Sequence, residues 1–287
     1  MNLLAATANE PELNMSTYVL FRDYVQERTG IVLASGKRAI FEARLWGHIS
    51  GLGFRSFEEY FYYISKSGDL PEQEKFLELM TVNETFFFRD KSQLRFYEST
   101  LIPIIRREAS AGKKFRCLCA GCSTGEEPYT LALIAMNAIP SITPFQFEIT
   151  GADISRECIN KARMGLFSQY AVRRMPKGYL ERFFVRKDEA FLIKNEARAF
   201  VKFDKTNISS PADMDRHRNI NAIFCKNVFI YFSEDARERI AASFYKSLVP
   251  DGCLVLGPSE YLKEGGTHFV PEKHGECVYY RKACSGE

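Results

Sequence analysis

The stretch Lys114–Ala138, KFRCLCAGCSTGEEPYTLALIAMNA, decides the fold. It reads as a buried strand (Phe115, Cys117, Leu118, Cys119), a tight glycine turn from Gly121 to Gly125, and an amphipathic helix opening at Glu126. A strand that enters a helix through glycines is the first unit of a doubly wound nucleotide-binding sheet. Glycines let the backbone come close to a ligand, and the helix N-terminus aims free N–H groups at it. A phosphate binder would carry a Lys or neutral amides at this turn, but Glu126 and Glu127 stand there. Carboxylates repel a pyrophosphate and suit a cation or a ribose hydroxyl. S-Adenosyl-L-methionine, with a sulfonium and an amino group, fits that polarity. The alternative is a turn that serves only as a tight structural connection.

Outward from this unit, strands and helices alternate. Strands are expected at 115–120, 147–153, 199–204, 220–225, 253–257 and 276–281, and helices at 126–138, 155–164 and 234–248. Such alternation calls for a mainly parallel sheet covered on both faces. Residues 165–198 break the rhythm with Arg173-Arg174, Pro176 and the hairpin-like FFVRKDEAFLIK, and read as an insertion. Upstream, helical spacing at Tyr18, Phe21 and Val25 stops at Gly30, and a second helix runs from near Ser35 to Gly51. Ser56 with Glu59 forms a capping box, and Pro71 opens a fourth helix. The expected organisation is a flexible arm at 1–15, a small all-helical domain at 16–80, a linker with two entry helices at 81–112, and an α/β domain at 113–287.

Composition narrows the class. With 287 residues, 46% hydrophobic and 14% aromatic, the chain can build a sizeable core, and a net charge of +3 is too weak to announce a nucleic-acid binder. The N-terminal MNLLAATANEPELN lacks the basic region of a signal peptide, and no apolar run approaches the ~18 residues of a membrane span, so a cytoplasmic protein is expected. Cys117 and Cys119 lie two apart on one buried strand face, and no second Cys pair or nearby His joins Cys119-Ala120-Gly121-Cys122 to complete a four-ligand set, so no metal is expected. All four histidines read as surface or loop residues, which argues against His-based acid–base chemistry.

Several polar residues fall at expected strand ends, where ligands bind in open α/β sheets. Asp153 ends the second strand, in FEITGADIS, where an acid can hold ribose hydroxyls; the alternative is that it caps the helix at Ser155. Asn207 closes KFDKTN, after the preceding strand, and Asn227 and Tyr231 follow IFC; the alternatives for these two are a turn residue and a core aromatic. In Asn83-Glu84-Thr85-Phe86-Phe87-Phe88-Arg89-Asp90, three phenylalanines cannot share one face, so at least one is expected between domains. Either this is an interdomain plug capped by Asp90, or it pins Asn83, Thr85 and Arg89 against a site.

Together these segments resemble the chemotaxis receptor methyltransferases, the CheR family, which methylate glutamates on bacterial chemoreceptors. The matching pieces are NETFFFRD (83–90), AGCSTGEEPYTLAL (120–133), GADIS (151–155), Ala162–Phe167, FCKNVFIYF (224–232) and GPSEYL (257–262), in the family's order. The resemblance implies a helical N-terminal domain followed by a Rossmann-like S-adenosylmethionine-dependent methyltransferase domain with a small β-subdomain insertion. Carried over by motif, Asn83, Thr85 and Arg89 line the cofactor and target pocket. Gly121 and one of Glu126 or Glu127 hold the methionyl or ribose part, and Asp153 the ribose. Asn207-Ile208 and Asn227-Val228 flank the adenine and the sulfur, and Tyr231 lies near the methyl. Arg89 and Tyr231 are thus the implied catalytic pair, S-adenosyl-L-homocysteine the product, and a methyl-accepting chemoreceptor cytoplasmic domain the partner.

Two departures stand out. The second helix keeps Lys37, Arg38 and Arg44 but continues Trp46-Gly47-His48-Ile49-Ser50, less basic than in well-known members. The hairpin from Arg186 to Ala199 is short where some members grip a tethering peptide, so no C-terminal pentapeptide tether is expected. Lys226-Asn227 also replaces the usual Arg-Asn. A nucleic-acid methyltransferase would show a basic surface and an Asn/Asp-Pro-Pro-aromatic run where Asn227-Val228-Phe229 stands, and a non-catalytic scaffold would tolerate loss of Arg89 and Tyr231.

Overall fold

The computed structural model describes residues 11–33, 36, 38–81, 83–263 and 268–283, and the chain divides into two compact units, residues 1–81 and 82–287. The first unit is four helices: α1 (Met15–Thr29), α2 (Arg38–Ile49), α3 (Phe57–Lys66) and α4 (Leu70–Leu79). Local chemistry sets their ends. Asn14, Ser56 and Asp69 each accept a backbone N–H at a helix start, and Gly30, left-handed at φ 73°, ends α1. Glu59 reaches back to Arg55 N at 2.9 Å, one residue before the cap. Stripes at helical spacing (Tyr18, Phe21, Val25; Phe41, Leu45, Ile49; Phe57, Tyr60, Ile64) bury into one aromatic core with Phe76. Of the arm expected at 1–15, the described Leu13 is fully buried in that core and Asn14 caps α1. Ser35, the expected start of α2, and residues 1–10 lie outside the described residues.

The second unit is a seven-stranded sheet. Its strands are β1 (Phe115–Ala120), β2 (Phe147–Asp153), β6 (Val201–Lys205), β7 (Ile220–Cys225), β8 (Leu248–Leu256), β9 (Phe269–His274) and β10 (Cys277–Lys282). They lie in the order β6-β2-β1-β7-β8-β10-β9, parallel from β6 through β8, with β10 antiparallel to both its neighbours. The chain leaves β1 toward β2 on one side and returns as β7 on the other. That reversal is the topological switch point, where α/β sheets open a crevice beyond the strand C-termini. Registers Ala120↔Ala152 and Cys119↔Phe224 bring the ends of β1, β2 and β7 level. Helices α7 (Glu126–Ala138) and α8 (Arg156–Met164) follow β1 and β2.

Three elements differ from expectation. β9 is additional; Pro271 and its polar neighbours hide it, and Pro fits because β9 is an edge strand. β8 begins at Leu248 because Pro250-Asp251-Gly252, which reads as a turn, is absorbed as a register shift opposite Ile220–Ala222. The two helices expected over 92–110 are one run: α5 (Lys91–Phe96), a π-turn (Tyr97–Leu101) and α6 (Ile102–Ser110). The wider turn admits Pro103, with Ile102 N–H reaching back to the Tyr97 carbonyl.

Between α8 and β6 lies the insertion, an antiparallel three-stranded sheet of β3 (Leu166–Ser168), β5 (Ala190–Ile193) and β4 (Phe184–Lys187). Phe87 and Phe88 pack in this second unit's own core, whereas the sequence reading placed at least one of the three between domains. Phe87, fully buried, sits edge-on to Phe167 and Phe184 at 4.8 and 5.4 Å, and Phe88 packs on Tyr179 at 5.0 Å.

Candidate active site

Four strand ends supply the crevice. After β1, Gly121 stands at φ 74°, and a Cβ there would come within 2.4 Å of Val228 Cγ2. The missing side chain therefore makes room for the loop after β7, joining two of the expected segments directly. Gly125, at φ 95°, is packed likewise, its absent Cβ 2.9 Å from that of Ala162 on α8.

Asp153, at the end of β2, is 6% exposed. Its Oδ2 accepts from Ser123 N at 2.8 Å and its Oδ1 from Ser155 N at 2.9 Å, so it ties the glycine turn to the start of α8. The cap of α8 is Ser155 itself, bonded from Cys158 N. On the neighbouring strand, Thr206 N donates to the Asp153 carbonyl at 2.8 Å, which sets Asn207 and the buried Ile208 just beyond. Asn207 itself donates its N–H to Asp213 and accepts from Ser209 N. His217, expected at the surface, is buried against Thr206 at 3.1 Å, and burial lowers its pKa, so it stays neutral.

The two glutamates of the first turn part company. Glu126 is 4% exposed and accepts the Thr124 hydroxyl at 2.7 Å, and burial raises its pKa. The Glu127 side chain is 15% accessible and forms an ion pair with Lys226 at 2.8 Å. Lys226 also meets Asp90 at 3.4 Å. Burial pushes the ammonium down, but Glu127 and Asp90 more than reverse that, so its pKa stands above the ordinary value. Asp90 makes no side-chain cap bond to α5 and stands at φ 59°. Its function is to close this three-way cluster, which links the 83–90 loop, the start of α7 and the end of β7.

The 83–90 loop is held at several points. Its Asn83 carbonyl accepts the Ser123 hydroxyl at 3.1 Å, Phe87 N donates to the Ala171 carbonyl at 3.0 Å, and Phe88 N donates to Thr130 Oγ1 at 3.2 Å. Thr85 is half-buried in it. Arg89 donates to the Glu84 carbonyl at 2.9 Å, keeps 34% of its side chain accessible, and lies 3.9 Å from Asp90. Tyr231 is half-buried in the 3-10 turn Phe229–Tyr231 after β7, so it is not the core aromatic weighed as an alternative.

Glu260, which sequence reasoning left without a role, organises the β7 end. Its carboxylate accepts from the backbone N–H groups of Asn227 (2.7 Å), Gly257 (2.7 Å), Val228 (2.8 Å) and Ile230 (3.3 Å). Asn227 stands at φ 59°, and the converging amides form an anion-binding concavity that Glu260 fills from within the chain. The only signal was the quoted GPSEYL, and nothing local in it names a partner more than 30 residues away.

A doubly wound sheet whose switch-point crevice is edged by carboxylates, where a phosphate site would need neutral amides or a Lys, defines a methyltransferase that uses S-adenosylmethionine. The family model described as "CheR methyltransferase, SAM binding domain" matches residues 83–276, and "CheR methyltransferase, all-alpha domain" matches residues 16–81. The chain belongs to the CheR methyltransferase family. It is 32% identical over 281 residues to chemotaxis protein methyltransferase 2 of Vibrio cholerae, covering 97% of each chain. It is 30% identical to the chemotaxis protein methyltransferases of Borreliella burgdorferi (83% of this chain, 86% of that one) and Salmonella typhimurium (89% and 86%).

Proposed function

We propose that this enzyme esterifies glutamate side chains on the cytoplasmic helices of methyl-accepting chemoreceptors, serving adaptation in chemotaxis. The observation that carries the reading is the pairing of opposite charges. An acid-edged crevice at the β1/β7 switch point suits a cationic donor, and the half-accessible Arg89 beside it suits an anionic acceptor.

In this reading Asp153 takes the ribose hydroxyls, and Asn207-Ile208 and Asn227-Val228 flank the adenine and the sulfur. Asn83, Thr85 and Gly121 line the pocket between them. Of the two acids, Glu127 is the one for the donor's amino group. It is paired with Lys226 and remains partly open, whereas Glu126 is buried and turned back onto Thr124. S-Adenosylmethionine supplies an electrophilic methyl group, which bonds to a carboxylate oxygen as its bond to sulfur breaks, and S-adenosylhomocysteine leaves.

A glutamate with pKa about 4.3 is already an anion at neutral pH, so no general base is needed. The protein's work is alignment and exclusion of water, where effective molarity supplies on the order of 7–11 kcal/mol. Arg89 holds the acceptor carboxylate bidentately, a geometry lysine cannot copy, and Tyr231 closes the pocket near the methyl.

The protein works in the cytoplasm without inserting into the membrane and without nucleic acid; no described helix is long and apolar enough to cross a bilayer. It uses no C-terminal pentapeptide tether, because only Asp188 and Glu189 join β4 to β5, too tight a turn to grip a peptide.

Incubation with methyl-labelled S-adenosylmethionine and receptor-bearing membranes, followed by mild alkali, tests the reading. Volatile methanol is expected from an ester. Label that stays bound after alkali would mean nitrogen or carbon methylation and would overturn it.

A further inference from the structure

Beside Arg89 the insertion builds a second cationic feature. Phe86, at the centre of the 83–90 loop, is faced by three guanidinium groups: Arg173 at 3.9 Å from the ring centroid, Arg174 at 4.8 Å and Arg89 at 5.6 Å. Arg173 also lies over the Tyr170 ring at 3.4 Å, and its Nη1 donates to the Tyr170 carbonyl at 2.6 Å. Tyr170 is in turn fixed by its hydroxyl on Glu84 at 2.7 Å, which ties the insertion to the loop. Arg173 and Arg174 are exposed. Stacking engages the face of a guanidinium and leaves its N–H edges free for carboxylates, at little cost in side-chain entropy.

We propose that Phe86, Tyr170, Arg173 and Arg174 form a docking platform for an acidic helix, gripping carboxylates about one helical turn from the glutamate held by Arg89. The inference rests on the functional reading above and adds the surface that recognises the substrate. Its span is compatible. The Arg89 and Arg173 guanidiniums lie 5.6 and 3.9 Å from the one ring centroid, so they stand at most about 10 Å apart, within reach of acids at i±3 or i±4 on a single helix face. Charge supports it too. Arg173 and Arg174 set two exposed cations beside Arg89, whereas among the described residues of α2 Arg38 is paired with Glu12 and Arg44 is the exposed cation.

The test is steady-state methylation of a purified chemoreceptor cytoplasmic fragment by the full chain and its R173A/R174A and R173K/R174K variants. For R173A/R174A the KM for the fragment is expected to rise about tenfold, with kcat and the KM for S-adenosylmethionine within about twofold. R173K/R174K should fall between. Changing to Gln the acids one turn from the modified glutamate should reproduce the rise in the parent enzyme and add little in R173A/R174A, the coupling expected of direct partners. An unchanged KM, or a fall in kcat with lost cofactor binding, would overturn the platform while leaving the enzyme's reaction standing. Loss of affinity for an RNA or DNA oligonucleotide with an unchanged fragment KM would assign the patch to another polyanion and also overturn it. A parent enzyme that methylates no receptor fragment would sink the functional reading, and the platform with it.

Discussion

Glu260→Gln isolates how much of the site depends on one carboxylate. In the parent, two oxygens accept four backbone N–H groups at 2.7, 2.7, 2.8 and 3.3 Å. An amide can keep its oxygen on Val228 and Ile230, but its NH2 then faces the N–H groups of Asn227 and Gly257, donor against donor. Hydrogen bonds to a charged group contribute roughly 1.5–3 kcal/mol each, and Glu260 is half-buried, so water offsets part of the loss and about 3 kcal/mol remains. In a second unit of roughly 200 residues, that corresponds to a fall in Tm of roughly 6–12 °C. The functional effect should be larger than the melting temperature suggests. Asn227 is held in a left-handed conformation by this carboxylate, and a non-glycine residue relaxes from it at a gain of about 1 kcal/mol or more. Calorimetry with S-adenosylhomocysteine should therefore show binding weakened about tenfold or more. Glu260→Asp, a methylene shorter, should lie between. A Gln variant that melts within about 2 °C of the parent and binds the product as tightly would refute the reasoning.

Other perturbations follow from the same contacts. Arg89→Lys should lower kcat by about 30–100-fold, the ~2–3 kcal/mol of a bidentate hold, with product affinity largely kept in calorimetry; full turnover would remove Arg89 from the reaction. Lys226→Met leaves Glu127 without its cation and Asp90 with the more distant Arg89, and should cost about 3 kcal/mol in denaturant melts, whereas Lys226→Arg should retain most of the stability. Glu126 is raised by burial, so its protonated form favours the fold, and that contribution is lost as pH climbs from the ordinary value of 4.5 through the folded one. Glu126→Gln should accordingly melt above the parent at neutral pH, with the gap closing below the ordinary value, and a gap independent of pH would show that ionisation there costs nothing.

What the sequence made legible was whatever local patterning dictates. Apolar runs ending in glycine or a polar residue placed β1, β2 and β7 to the residue, because a buried parallel strand has no freedom in composition. The hairpin of the insertion was readable from its paired apolar ends around Lys187-Asp188-Glu189. Legibility failed where tertiary context overrides a local rule. Pro271 is tolerated because β9 is an edge, Pro103 because a π-turn widens the helix, and Pro250-Asp251-Gly252 because a strand can bulge. Site residues show the same division. Positions at strand ends follow from topology, but Glu260 and Lys226 act through partners far along the chain, on Asn227 and Asp90, and no spacing encodes those pairs. The choice between Glu126 and Glu127 stayed open in sequence for that reason. Adjacent residues at a helix start differ only in what the rest of the fold sets beside them.

The most direct test of the account is the crystal structure of the enzyme with S-adenosylhomocysteine bound. The account predicts the ribose hydroxyls on Asp153, the amino group toward Glu127, and the sulfur facing Arg89 across the loop that Glu260 holds. Product lodged away from the ends of β1 and β2, with its ribose away from Asp153 and its sulfur out of reach of Arg89, would contradict it.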